Sequence, residues 1–111
     1  MSVKDYSSFF RILYNASYLS KEMSSKALKL LTQVNFNKGL VAGLPKGVKI
    51  AHKFGERGYA LNDIKQLHDC GIVYHPRKTY LICVMTKGNK IEDLEYIIQK
   101  ISKFIYQTVD K

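Results

Sequence analysis

Tryptophan is absent, and cysteine and proline occur only twice each. Two cysteines, Cys70 and Cys83, are too few for a disulfide framework, so the fold must rest on a packed core. Both sit in apolar, strand-like runs. Buried free thiols are therefore the default reading, and a disulfide requires the two strands to be neighbours. Neither cysteine has CxxC spacing, and His52, His68 and His75 form no HExxH-like pattern, so no metal and no other cofactor is expected. No apolar run approaches the roughly 20 residues that a membrane-spanning helix needs. The opening stretch, SVKDYSSFFRIL, lacks the basic start, long apolar segment and small-residue cleavage site of a signal peptide. The expectation is a soluble chain: cytoplasmic, or secreted or periplasmic if a longer parent carries a signal upstream.

Acidic residues are also scarce, nine against 18 Lys and Arg, for a net charge of +9. Such a balance can mark nucleic-acid or anionic-membrane binding. Here the cations are dispersed (Lys4, Arg11, Lys21, Lys26, Lys29, Lys38), and only Arg77 and Lys78 adjoin, in a turn-like stretch. A solubilising surface is the simpler reading, with no nucleic acid and no membrane as partner. The sequon Asn15-Ala16-Ser17 matters only in a secreted eukaryotic protein.

What is present is apolar residues at 46%, with eight Tyr and five Phe. Disorder is excluded, and 111 residues make one domain or part of one. Ser2 followed by Asp5 reads as a capping box, and Tyr6, Phe9, Phe10, Leu13 and Tyr14 recur at helical spacing, predicting a helix over 3–15. Ser20 with Glu22 starts a second helix over 21–33, whose face is Met23, Ala27, Leu30 and Leu31. Residues 35–47, with three glycines and a proline, read as a loop containing a short ordered piece at Leu40–Ala42.

The period then becomes two. Val48, Ile50 and His52 alternate with Lys49, Ala51 and Lys53, a first strand. Cys70–Tyr74 is a second strand and Thr79–Thr86 a third, joined through His75-Pro76-Arg77-Lys78 into an antiparallel hairpin. The stretch 56–69 is expected to be a long polar loop, with His68-Asp69 a turn entering the second strand. Asn89 and Glu92 predict the cap of a last helix of about twenty residues. Its stripe Ile91, Leu94, Ile97, Ile98, Ile101, Phe104, Ile105 and Val109 is read as core. The layout is α+β: three antiparallel strands, two N-terminal helices and a long C-terminal helix. TYLICVMT carries no internal charge or proline, so it makes a poor exposed edge and should be covered by another strand.

Five segments then align with a known family. Ala42-Gly-Leu-Pro45, Val48-Lys-Ile-Ala-His-Lys-Phe-Gly55, His68-Asp-Cys-Gly-Ile-Val73, Tyr80-Leu-Ile-Cys-Val-Met-Thr86 and the closing helix follow one another as in the serine β-lactamase and penicillin-binding-protein superfamily. The chain resembles the C-terminal portion of the class A β-lactamase-like serine hydrolases, over essentially its whole length. The fold implied is part of their α/β sandwich, and residues 1–111 are then a single or partial domain of it.

The resemblance implies three site elements: a Ser-x-x-Lys nucleophile, a Ser-x-Asn-type loop and a Lys-Thr/Ser-Gly strand. Only the third has a counterpart, Lys53-Phe54-Gly55. No serine of the chain is followed three residues later by lysine. By the resemblance, Lys53 holds a substrate carboxylate and supplies positive potential, Gly55 admits close backbone approach, and the Glu56 backbone N–H is an oxyanion-hole donor. Phe54 replaces the hydroxyl that would bond that carboxylate, which implies a different substrate or a degenerate site; Arg57 is a cation near enough to compensate. His52, where the family often has Asp, is assigned no chemistry, and Tyr59 either lines the cleft or packs. Two classes of function remain open. One is a β-lactamase-like serine hydrolase whose isolated C-terminal part is inactive, acting on an amide or β-lactam and completed by its N-terminal portion. The other is a non-catalytic α+β module pairing through an exposed sheet edge with a partner or a second copy.

Overall fold

The structure, a computed structural model, describes residues 2–16, 19–58 and 63–111. Ser17 of the sequon and Tyr59 lie outside the described residues. Helix α1, Val3–Asn15, begins as the capping box dictates. The Ser2 hydroxyl accepts from the Asp5 N–H and the Asp5 carboxylate accepts from the Ser2 N–H, each at 3.1 Å. Those bonds hold the Asp5 carboxyl below its ordinary range. Helix α2, Lys21–Leu31, starts at Ser20, whose hydroxyl accepts from the Met23 N–H, and ends two residues before the sequence reading placed it. A 3-10 turn at Leu40–Gly43 fills the ordered piece expected within the loop.

The sheet is β1 (Ile50–Gly58), β2 (Lys65–Val73) and β3 (Tyr80–Gly88), antiparallel in that order, with no slip in either register. The expected long loop 56–69 is therefore corrected. Strand β1 runs on to Gly58 and β2 begins at Lys65, because charged Glu56, Arg57, Lys65 and half-buried Gln66 satisfy their backbones in the ladder while their side chains remain at the surface. His68 and Asp69 are mid-strand residues, not a turn.

Helix α3, Ile91–Val109, lies over β2 and β3 on one face of the sheet, and α1 covers those strands on the other, with α2 beside β1. Leu40, Ile50, Leu67, Val73, Ile82, Val84, Leu94 and Ile98 form the larger core under α3. Each fully buried Leu or Ile there contributes roughly 1.5–3 kcal/mol. A smaller core under α1 joins Phe10, Cys70 and Ile72. Gly43 lets the 3-10 turn lie against α3: a Cβ there would sit 2.4 Å from the Gln99 carbonyl oxygen. The buried Ser102 hydroxyl donates to the Leu40 carbonyl at 2.7 Å.

Two expectations about α3 change. Asn89 is not its cap: the helix starts after Lys90, with no side-chain capping bond. Its apolar stripe is core only in part. Leu94 and Ile98 are buried and Ile91, Ile105 and Val109 half-buried, whereas Ile97, Ile101 and Phe104 are 44%, 38% and 65% exposed, on the flank turned away from the 3-10 turn. The stripe is wider than the layer available to cover it. The cysteines are not free: Cys70 and Cys83 sit directly opposite one another in the β2–β3 register and are joined as a disulfide.

Candidate functional site

Ladder parity decides what the open edge of β1 displays. The Tyr74 N–H donates to the Lys49 carbonyl at 3.0 Å, which makes that pair hydrogen-bonded. In an antiparallel ladder such pairs alternate with pairs whose N–H and C=O groups point away. Carrying the register forward, Lys53 and Gly55 bond to β2, while Phe54 and Glu56 direct their backbone groups outward. The Glu56 N–H thus lies on the free edge, one residue beyond Gly55. Side chains alternate too, so Lys53, Gly55 and Arg57 face the α1 side of the sheet and His52, Phe54 and Glu56 the α3 side.

The exposed Lys53 ammonium folds back along the strand. It donates to the Phe54 carbonyl at 2.6 Å and lies 5.2 Å from the centre of the Phe54 ring. That ring stacks on Phe36, centroids 4.0 Å apart and planes 16° apart. Phe54 is thus anchored to the loop before the 3-10 turn. It gives the Lys53 cation a π face where a hydroxyl would have given a hydrogen bond.

Beneath this strand lies a buried polar node. His52 and Asp69 are 1% and 0% exposed, and His52 Nδ1 is 2.9 Å from Asp69 Oδ1. Asp69 Oδ2 accepts from the Leu40 N–H at 3.0 Å. One carboxylate therefore joins β1, β2 and the 3-10 turn. Glycine is needed twice around it. A Cβ at Gly39 would sit 2.6 Å from Asp69 Oδ2, and one at Gly71 would sit 2.6 Å from the His52 Cβ. His52 remains without a chemical role, but as a buried structural partner of Asp69 rather than a strand-end residue.

The five sequence-nominated residues, 53–57, line one concavity of about 250 Å³ with Tyr6 of α1, Gln66 and His68 of β2, and Met85 of β3. His68 was not nominated, because a His beside an Asp in an assumed turn gave no signal. Paired with Gly55 in the register, its ring lies where a Cβ at 55 would be, 2.3 Å from that point at Cε1 and Nε2. Tyr6 closes on it with ring centroids 4.8 Å apart. Nε2 is buried with no hydrogen-bond partner. Burial first, then the Lys53 charge, holds the His68 pKa below the ordinary value of 6.5, with Asp69 pulling weakly the other way.

Elsewhere, an apolar concavity of about 230 Å³ lies between α1 and β3, around Phe10, Tyr14, Ile72 and Leu81. A wider one of about 490 Å³ lies by Lys29, Lys49 and Tyr74. The second is also polar, with Ser25, Lys29 and Thr32 beside Lys49 and Tyr74 at the start of β1 and the end of β2, but neither includes any of residues 53–57. Among the described residues no cluster of His, Cys, Asp and Glu could hold a metal, and no helix is long and apolar enough to cross a membrane.

Comparison with known proteins bears on the family and the fold. The model of a β-lactamase enzyme family matches residues 1–109. The chain is similar to the solved structure of PBP-A at 25% identity and TM-score 0.79, over 96% of this chain and 39% of that one. It shares its fold with a β-lactamase from Chitinophaga pinensis (22% identity, TM-score 0.84, 94% of this chain, 40% of that one). A β-lactamase from Sphaerobacter thermophilus shares the fold too (19%, TM-score 0.77, 94% and 38%). The chain thus spans about two-fifths of the length of these structures. No curated protein gives a significant match.

Proposed function

The chain belongs to the β-lactamase enzyme family, and on that premise we propose that it forms the Lys-x-Gly wall of a serine acyl-transfer site. In this reading Lys53 holds an anionic group of an amide or β-lactam substrate, and Arg57 adds positive potential. The Glu56 N–H stabilises the oxyanion that develops when a serine attacks the carbonyl. The observation that carries the reading is the parity of β1, which turns the Glu56 N–H to the open edge immediately after Lys53-Phe54-Gly55. The serine and its lysine would come from the remainder of the fold, since this sequence has no Ser-x-x-Lys.

The same parity argument describes where that remainder would join. Residues 80, 82, 84 and 86 bond β3 to β2, so Leu81, Cys83 and Met85 point their backbone groups outward, at an edge that pairs with no other strand among the described residues. The exposed flank of α3 (Ile97, Ile101, Phe104) overhangs that side. We propose that a strand adds here, either from the N-terminal portion of the same fold or from a second copy of this chain. Sedimentation separates the two, because a second copy gives a concentration-dependent dimer of the purified chain.

One observation favours a second reading. Phe54, stacked on Phe36, takes the place of the hydroxyl that would bond the substrate carboxylate. That fits a binding or assembly module that keeps the fold without turnover. The deciding experiment is hydrolysis of a chromogenic cephalosporin by the purified 111-residue chain and by the chain mixed with a fragment carrying the rest of the fold. The hydrolase reading expects no turnover from the chain alone and turnover from the pair. Turnover by the chain alone would refute the assigned division of the site. An assembled but inert pair would give the module reading the lead.

A further inference from the structure

We propose that His68 is the proton-coupled floor of the Lys53 concavity: when an anion neutralises Lys53 at the mouth, the imidazole seated under Gly55 takes up a proton, so anionic ligands bind with proton uptake. This deepens the reading of residues 53–57 as a ligand pocket and rests on it.

Three observations converge on this residue. First, the glycine of Lys-x-Gly has a use besides ligand access. The His68 ring occupies the space of a Cβ at 55, so the motif glycine is what allows an imidazole into the floor. Second, among the described residues the buried Nε2 of that imidazole has no hydrogen-bond partner, and the Tyr6 ring lies tilted against it. A buried ring nitrogen without a partner calls for a reason. Third, the surrounding charge is asymmetric. From β1 it meets Lys53 on its own side of the sheet, with Arg57 further along. From β2, the adjacent Asp69 points to the opposite face, where His52 and the Leu40 N–H use both its oxygens. From β3 the residue directly opposite is Met85, and from α1 the Tyr6 phenol lines the same concavity. Burial is thus the first opponent of a charge on this imidazole and Lys53 the main cation opposing it, with the N-terminal amine adding less.

The linkage follows. In the empty concavity the ring is neutral at neutral pH. An anion against the Lys53 ammonium cancels the repulsion and leaves the ring beside a negative group, which favours its protonated form. By reciprocity, protonating His68 tightens the anion by the same factor. The proton comes from solvent and no covalent bond changes. His68 is therefore a positioning residue that acts through Lys53. Anions should bind about two- to tenfold more tightly near pH 5.5 than near pH 8, the size of a partly screened charge–charge coupling over this distance.

The test is an NMR titration of the intact chain, following the His68 ring and the Lys53 side chain with benzylpenicillin as probe. Wild type is compared with Lys53→Met and His68→Gln. In the absence of probe, Lys53→Met should raise the His68 pKa; an unchanged value overturns the proposal, whatever the probe does. With probe, the His68 pKa should rise and the affinity should increase as pH falls. His68→Gln should abolish that pH dependence whatever its affinity at pH 8, which a merely structural role would not do; a slope equal to wild type overturns the linkage. A Lys53 response with an unmoved His68 pKa refutes this inference and leaves the pocket reading standing. No Lys53 response at any pH removes the pocket reading and the ligand linkage together.

Discussion

Strands β1 and β3 bound the same sheet with nine residues each, yet they finish it differently. The outward backbone row of β1 ends at Phe54 and Glu56, flanked by Lys53 and Arg57, two charges and a ring folded back over the strand. The row of β3 includes Leu81, Cys83 and Met85, with no charge before Lys87, and apolar side chains of α3 stand exposed beside it. Charges guard the first edge against another strand, and on the proposed reading it receives a small polar ligand. The second is unblocked and flanked by uncovered apolar surface, the combination that natural sheets avoid unless something covers it.

The largest effect is expected inside β1's support. Asp69→Ala strips the buried partner from both His52 and the Leu40 N–H, and should cost about 3–5 kcal/mol in urea unfolding, enough to leave little folded chain. A cost under about 1 kcal/mol would show that β1 does not depend on this node. Next comes the covalent tie on the other side. Reducing Cys70–Cys83, or making Cys83→Ser, should lower stability by about 3 kcal/mol for a bridge closing 13 residues of separation. A mass measurement without reductant should find no free thiol.

The apolar edge can be broken without harming the fold. Ile101→Glu, at an exposed position, should leave the unfolding midpoint nearly unchanged. It should weaken association with a complementary fragment, or with a second copy, by tenfold or more in sedimentation. Equal association in both proteins would separate the α3 flank from the interface. At the polar edge, Lys53→Met should lower benzylpenicillin affinity about three- to tenfold with stability intact.

The smallest effect is a slope with pH. The folded pKa of His68 lies below its unfolded value of 6.5, so between the two the unfolded chain binds more protons. Stability therefore rises with pH there and is lost as pH falls below 6.5. His68→Gln should flatten that part of the stability–pH curve, and an unaltered slope would assign it to other groups.

Much of this architecture was legible in residue order. The Ser2–Asp5 capping box and the Ser20 cap placed α1 and α2, because capping is a local exchange of hydrogen bonds. The apolar run TYLICVMT after the His75–Lys78 turn placed β3, and its lack of internal charge marked it as an edge in need of cover. The candidate site was legible only in part. Lys53, Phe54, Gly55, Glu56 and Arg57 could be nominated because they are contiguous. His68 could not, because its only link to Gly55 is across the ladder. The polar half of β1 and β2 was misread as a loop for a related reason: charged strand ends resemble loops until their backbones are paired.

The sequence by itself determined the helices, the order of the elements, the basic surface and the family, all of which depend on neighbours a few residues apart or on the succession of short segments. Tertiary structure alone decided that Asp69 joins three elements, that Cys70 faces Cys83, that one flank of the α3 stripe stays uncovered, and that the Glu56 N–H points outward. Each of these depends on register. A one-residue slip would exchange every inward group for an outward one, and composition carries no record of which partner lies across the ladder.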